Sequence, residues 1–383
     1  MFLAYCLFIK NALFLFVWQL FHIFEKRPVA ILRNIILLIM LPIIVSLIHI
    51  HWLFFILDEV LFFNYRKTKC IRPIFIIGIP RSGTTFLQRT LANDTQFTST
   101  TLADCVFTPS ITQRYLAQFF RWICSPIANY SQKFTPKFFN SMQDIHTLGL
   151  NEPEEDFFML TSIFSCFIQM TIFPNYPPVW KLAKFDKSVP NWERKIIMNF
   201  YKKMVQKHVY FYGKDKTYLA KNPSFTSWVK SLHKYFEQPI IVACIRNPDK
   251  TVPSQISSLA PIFNITKHNI HDLKFINNIH SMLFYYYKYI EKLSKPKHIQ
   301  PLHVVEMNEL TLHLNECIHA IYEIGGYSIS KKMQKFYEQL SKENKQYTSK
   351  HTYIKQASII HSKTVFDAIW PMSPHARLIN PGQ

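Results

Sequence analysis

"FIIGIPRSGTTFLQRTL", Phe75 to Leu91, decides how the rest of this chain is read. A short continuous run of β-branched and aromatic residues, "IFIIGI" after Pro73, is the pattern of a strand buried in a parallel sheet. Gly78, Pro80 and Gly83 then break it, and "TTFLQRTLAND" places Phe86, Leu87 and Leu91 at helical spacing. Strand, glycine-containing turn and helix start together aim backbone N–H groups and a helix N-terminus at one point, the geometry that cradles a phosphate or sulfate. A Walker-type nucleotide loop needs G-x-x-x-x-G-K-[ST], and here Thr84 stands where that lysine belongs. The basic role therefore passes to Arg81, with Ser82, Gly83, Thr84 and Thr85 as the remaining ligands of the anion.

A second stretch repeats the plan. "PIIVACIRNPDKTVPSQISSL", Pro239 to Leu259, is again a β-branched strand, a polar turn and a helix start, with Arg246 at the strand end and Ser254 eight residues later. Both belong at the C-terminal edge of the sheet, where open α/β folds bind their ligands. Two anion sites on one edge imply a ligand with two separated anionic groups.

"PRSGTT" and "RNPxxxxxS" resemble the 5′-phosphosulfate loop and the 3′-phosphate site of sulfotransferases, which use 3′-phosphoadenosine 5′-phosphosulfate as donor. Further blocks are similar in order: "LNEPEED" (Leu150 to Asp156), "YLAKNPSFTSWVKSLHKYF" (Tyr218 to Phe236), "VVEMNEL", "IHAIYEIGGY" and "YTSKHTY" (Tyr347 to Tyr353). The resemblance covers about residues 60 to 370. It implies an α/β fold, a P-loop-like three-layer domain with a central parallel sheet. It also implies that Arg81, Ser82, Gly83, Thr84 and Thr85 hold the 5′-phosphosulfate, and that Arg246 and Ser254 hold the 3′-phosphate. Two departures stand out: Ser224 and Phe225 follow Lys221-Asn222-Pro223 where many relatives have a histidine, and no "RKG" lid element is present.

Sulfuryl transfer asks the protein to align an acceptor, spread charge over donors and take one proton. The loop and Arg81 serve the charge, with Lys221 as an extra cation; no metal is expected. For the base, "HTLGLNEPEED" offers His146, Glu152, Glu154, Glu155 and Asp156, of which Glu155 ranks first and His146 second. The competing reading is structural: Pro153 at a first helical position, with acids favoured in the first turn by the helix dipole. "FYYYKY", Phe284 to Tyr289, reads as a core-facing helix, and Glu306 and Glu309 as a strand end and a helix start.

The first 65 residues differ in kind. Phe2 to Phe24 is apolar apart from Lys10, Asn11, Gln19 and His22, and Ile35 to Leu57 holds no acid, Lys or Arg over 23 residues. Such a run is long enough to cross a hydrocarbon core of roughly 30 Å. Spanning is the first reading; Pro42, His49, His51 and the Asp58-Glu59 pair also suit a hairpin dipping into one leaflet, and a buried helix is the third reading. The expected organisation is a hydrophobic membrane-anchor segment, residues 1–65, followed by a sulfotransferase α/β domain, residues 66–383. A signal peptide fits poorly, since no basic n-region opens the chain.

The formal charge of +20 comes without a homeodomain, zinc-finger, RRM or KH signature, so nucleic acid is not the expected partner. An anionic ligand or a membrane face is. Seven cysteines form no CxxC pair and require no oxidising compartment. The expected partners are thus the membrane and a small-molecule, lipid or glycan acceptor. Two other function classes stay open: a P-loop-type nucleotide or phosphate-ester kinase, and a non-catalytic nucleotide-binding relative.

Overall fold

The computed structural model describes residues 1–24, 28–123, 149–295 and 302–345. Within these, five parallel strands form one sheet: β1 (Ile74–Gly78), β2 (Phe97–Thr98), β3 (Thr217–Lys221), β4 (Ile240–Ile245) and β5 (Leu302–Glu306), in the order β2-β3-β1-β4-β5. The helices used below are α1 (Phe2–Phe21), α2 (Pro28–Leu61), α3 (Thr84–Leu91), α4 (Leu102–Val106), α5 (Ile111–Ile123), α6 (Asn191–Tyr212), α7 (Pro248–Ile265), α8 (Leu273–Leu293), α9 (Met307–Leu312), α10 (Leu314–Gly325) and α11 (Lys331–Lys345). Shorter helical pieces join them and are left unnumbered.

Every residue of β1 is buried, and its alternate side chains serve two different cores. Ile74 and Ile76 join Leu87 and Leu91 of α3 and the inner faces of α10 and α11. Phe75 and Ile77 face the other way, into a larger core with α6, α7 and α8. Helices therefore cover both faces, which gives the expected three layers. A continuous apolar strand is what such two-sided burial demands.

The aromatic run of Phe284 to Tyr289 lies in α8 with Tyr286 and Tyr287 fully buried, in agreement with its reading as core. Glu306 ends β5 and, with Glu309, forms a capping box at the start of α9.

The two N-terminal helices pack on the domain along one stripe each. In α1 the buried residues are Ala4, Leu7, Phe8, Ala12, Leu15 and Gln19, and in α2 they include Leu41, Ile48, Trp52, Phe55 and Asp58. Helical spacing puts each set on one face. Those stripes belong to the same hydrophobic cluster as Phe75 and Ile77, so the hairpin and the sheet share one core. Their opposite faces are apolar and exposed, from Phe2 and Leu13 to Ile39, Leu53 and Val60. By length and composition both helices could cross a membrane.

Candidate active site

The turn after β1 is built around three backbone conditions. Gly78 sits at φ +123°, and a Cβ there would fall 2.0 Å from the Cys244 carbonyl oxygen, so glycine is required where β1 and β4 meet. Gly83, at φ +84°, is the N-cap of α3. Arg81 is left-handed too, at φ +67°, a conformation that costs a residue with a Cβ about 1–3 kcal/mol and persists only where its surroundings impose it. Here the Arg81 carbonyl accepts from Arg246 Nη1 at 3.1 Å.

The two sequence clusters therefore converge. Arg81 Nε donates to Ser254 Oγ at 3.1 Å, and Arg81 and Arg246 line one cavity of about 650 Å³. Two separated anion sites were expected; the structure links them through these two hydrogen bonds. Arg246 follows the last residue of β4, and Ser254 lies in the second turn of α7, so both stand at the C-terminal edge of the sheet. Gly83, Thr84 and Thr85 also line the cavity.

Three of the expected ligands are placed differently. Ser82 is fully buried, and its hydroxyl donates to the Ile79 and Cys244 carbonyls, bracing the turn against β4 instead of facing the cavity. The Ser254 hydroxyl accepts from Arg81 behind the cavity wall. Lys221, at the end of β3, is fully buried as well, with Nζ 2.9 Å from Glu155 Oε1 and 3.3 Å from Glu154 Oε1. Its charge is thus engaged by a carboxylate pair, because β3 ends against the 154–155 strap.

That strap is not the helix start of the competing structural reading. Pro153 makes a bridge with Thr101, Glu154 N–H donates to the Thr100 carbonyl, and the following 3-10 helix begins only at Asp156. Glu155 occupies the extended position before it and makes no cap bond, which leaves its carboxylate for Lys221 and the cavity. Burial, reinforced by the like charge of Glu154, raises the Glu155 carboxyl above its ordinary range despite Lys221. Lys221 itself keeps its proton: burial alone would lower it, but two adjacent carboxylates raise it.

The neighbouring acids have other work. Asp156 is fully buried, accepts from the hydroxyls of Tyr201 and Tyr218, and is pushed up to about 6 by burial. It anchors the strap to α6 and β3. Glu152 is exposed. His146 and the "YTSKHTY" block, Tyr347 to Tyr353, lie outside the described residues. Sequence reasoning missed the tyrosine pair, since no local pattern marks a hydroxyl that meets its carboxylate across the fold.

It also missed the wall of the cavity. Phe157, Phe158, Phe167, Ile168, Met170 and Ile172 line the same cavity as the arginines with apolar side chains, and Gln255, Ser258 and Tyr286 add polar groups. The wall reaches Val106 and Phe107 at the end of α4, and Phe107 is exposed to solvent. Such a site joins two arginines and a carboxylate to a largely apolar compartment. Among the described residues no group of three or more His, Cys, Asp or Glu side chains could hold a metal ion.

Comparison with known proteins gives the family and the fold. A model described as "Sulfotransferase family" matches residues 73–330. Omega-hydroxy-beta-dihydromenaquinone-9 sulfotransferase Stf3 from Mycobacterium bovis is 29% identical over 195 residues, which is 50% of this chain and 46% of that protein. The same-named protein from Mycobacterium tuberculosis matches equally. The chain thus spans about half the length of the curated relatives it matches. Among solved structures, sulfotransferase STF9 from Mycobacterium avium superposes with a TM-score of 0.58 at 13% identity, covering 89% of this chain and 84% of that one. Sulfotransferase STF1 from Mycobacterium tuberculosis H37Rv gives 0.57 at 13% identity, with 88% and 86% covered. At that identity the likeness is one of fold, whereas the family model matches well over half of the chain. Anion turn, second arginine, carboxylate strap and sequence match thus lead to one conclusion: the chain belongs to the sulfotransferase family.

Proposed function

We propose that this protein is an enzyme that moves a sulfuryl group from 3′-phosphoadenosine 5′-phosphosulfate to a hydroxyl or amine of a lipid-like acceptor. The observation that carries the reading is the meeting of Arg81, Arg246 and Glu155 on one apolar cavity. In this reading Arg81, Gly83, Thr84 and Thr85 hold the 5′-phosphosulfate, and Arg246, whose Nη1 also donates to the Arg81 carbonyl, meets the 3′-phosphate. The acceptor lies along Phe157, Phe158 and Met170. Its oxygen or nitrogen attacks sulfur in line, the bond from sulfur to the 5′-phosphate oxygen breaks, and adenosine 3′,5′-bisphosphate leaves. The acceptor's proton passes to Glu155, while Lys221 keeps that carboxylate in place. A lipid-like acceptor is supported by the apolar wall and by the menaquinone named for the curated relatives. Residues 1–65 then serve as the membrane anchor and residues 66–383 as the catalytic domain.

Calorimetry with 3′-phosphoadenosine 5′-phosphate tests the donor site. The wild type is expected to bind, and Arg246→Ala to bind about 10- to 100-fold more weakly, the effect of losing a hydrogen bond to a charged group worth about 1.5–3 kcal/mol. The variant also removes the Nη1 hydrogen bond to the Arg81 carbonyl, so the upper end of that range is expected. Absence of binding by the wild type would overturn the assignment.

A further inference from the structure

The hairpin is fixed to the catalytic domain at both ends and in between. Near the start of α2, Arg33 Nη1 reaches the Lys267 carbonyl at 3.3 Å and His268 Nδ1 at 3.0 Å. Near its end, Asp58 Oδ2 pairs with Lys207 of α6 at 2.7 Å, both side chains fully buried. Between them, Trp52 Nε1 donates to the Ser162 carbonyl at 3.0 Å. In α1, Asn11 Nδ2 donates to the Ile163 carbonyl, Lys10 pairs with Glu193, and Trp18 packs edge-on against Tyr176.

These attachments decide a topology that composition leaves open. Arg33 and Asp58 are separated by about 37 Å along a helix rising 1.5 Å per residue. A hydrocarbon core is about 30 Å thick. Standing α2 upright would therefore put one domain's contacts at opposite faces of the bilayer. It would also bury the intervening loops and the lysines of α6 in hydrocarbon, where unpaired backbone and charge are excluded.

The exposed apolar surface, meanwhile, does not stop at the hairpin. Phe62, just past α2, stacks on Tyr115 of α5 at 5.4 Å. From there α5 presents Leu116, Phe119, Phe120 and Trp122, each at least 40% exposed. An aromatic row of that kind suits the level of lipid headgroups.

We infer that α1, α2 and α5 form one face that lies flat in a single leaflet of an anionic bilayer, so that the chain does not cross the membrane. The formal charge of +20 favours the anionic leaflet. The face adjoins α4, whose Val106 and the following Phe107 reach both the catalytic cavity and the surface. An acceptor dissolved in the leaflet then enters beside Phe107 without leaving the lipid. This inference rests on the membrane reading of residues 1–65 given above.

Full-length protein is bound to sealed phosphatidylcholine–phosphatidylglycerol vesicles, and single cysteines are introduced by Lys26→Cys, between α1 and α2, and by Lys274→Cys on the domain. A membrane-impermeant maleimide is then applied, and labelling is read by mass spectrometry, which separates these sites from native cysteines. Equal labelling of both positions before detergent supports the flat arrangement. Labelling of Lys26→Cys only after detergent overturns it, while leaving membrane anchoring intact; failure of the protein to bind vesicles overturns both. A second arm uses Phe120→Asp with Trp122→Asp, which alters exposed side chains only. Vesicle affinity is expected to fall about tenfold or more, as two aromatic groups lose their lipid contact, with the melting temperature unchanged. Unchanged affinity removes α5 from the proposed face.

Discussion

Glu155→Gln is expected to lower kcat by about 10²- to 10⁴-fold, the usual contribution of a positioned general base. Glutamine keeps the size of the side chain and can still accept from Lys221 through its amide oxygen, but it cannot take the acceptor's proton. Nucleotide affinity should stay at the wild-type value, because in this reading the turn after β1 and Arg246, not Glu155, hold the anionic groups. The pH profile separates this role from a structural one. The base must be unprotonated, and burial together with Glu154 raises its pKa above the ordinary 4.5. Wild-type kcat/KM should therefore fall as pH drops through that raised value, at a higher pH than for an ordinary glutamate. In Glu155→Gln this acid limb should be absent. Glu154→Gln is the matched comparison, since Glu154 also touches Lys221 but is held by the Glu155 N–H as well. If Glu154→Gln removes the limb and Glu155→Gln retains it, the base has been assigned to the wrong carboxylate.

What the sequence disclosed was local, and the physics of the elements explains why. The run from Ile74 to Gly83 carries its own structure: an apolar strand that fits only a two-sided core, then a glycine with no room for a side chain beside β4. The same holds for β4 followed by Arg246. Directions set by distant partners were not legible. Ser82 follows the strand in a motif that invites an anion ligand, yet its hydroxyl satisfies carbonyls from two segments, one of them 162 residues away. Lys221 reads as a free cation until β3 is placed beside the 154–155 strap. The "NEPEE" stretch fits a helix start by composition, but it turns at Asn151 and Glu152, Pro153 bridges Thr101, and Glu155 is extended. The N-terminal run shows the limit most clearly. Hydropathy reports that a segment is apolar all round, and only tertiary contacts report that one stripe of it is already covered by protein.

Those contacts include the pair whose loss should cost the most stability. Asp58→Ala is expected to destabilise the fold by about 3–5 kcal/mol, the range for removing one partner of a buried ion pair. Asp58 also caps α5 from another element, since its carboxylate accepts from Ile111 N–H at 2.9 Å, Thr112 N–H at 2.8 Å and the Thr112 hydroxyl at 2.7 Å. Loss of a cap of this kind costs about 0.5–2 kcal/mol by itself. The two contributions are separable by pH. Burial already lowers the Lys207 pKa to about 8, with Asp58 opposing the shift. Without Asp58 that pKa falls further, so the folded variant binds fewer protons than the wild type, and its stability rises with pH over a wider range. The difference between variant and wild type, measured by chemical denaturation in detergent micelles, should therefore be larger at about pH 6.5 than at about pH 8.5. Adding Lys207→Met removes the stranded charge and should recover most of the ion-pair loss but none of the cap. The double variant should thus keep a deficit of about 0.5–2 kcal/mol that does not vary with pH across this range. Equal losses at both pH values in the single variant would show that Asp58 stabilises the fold by capping α5 and not by neutralising Lys207.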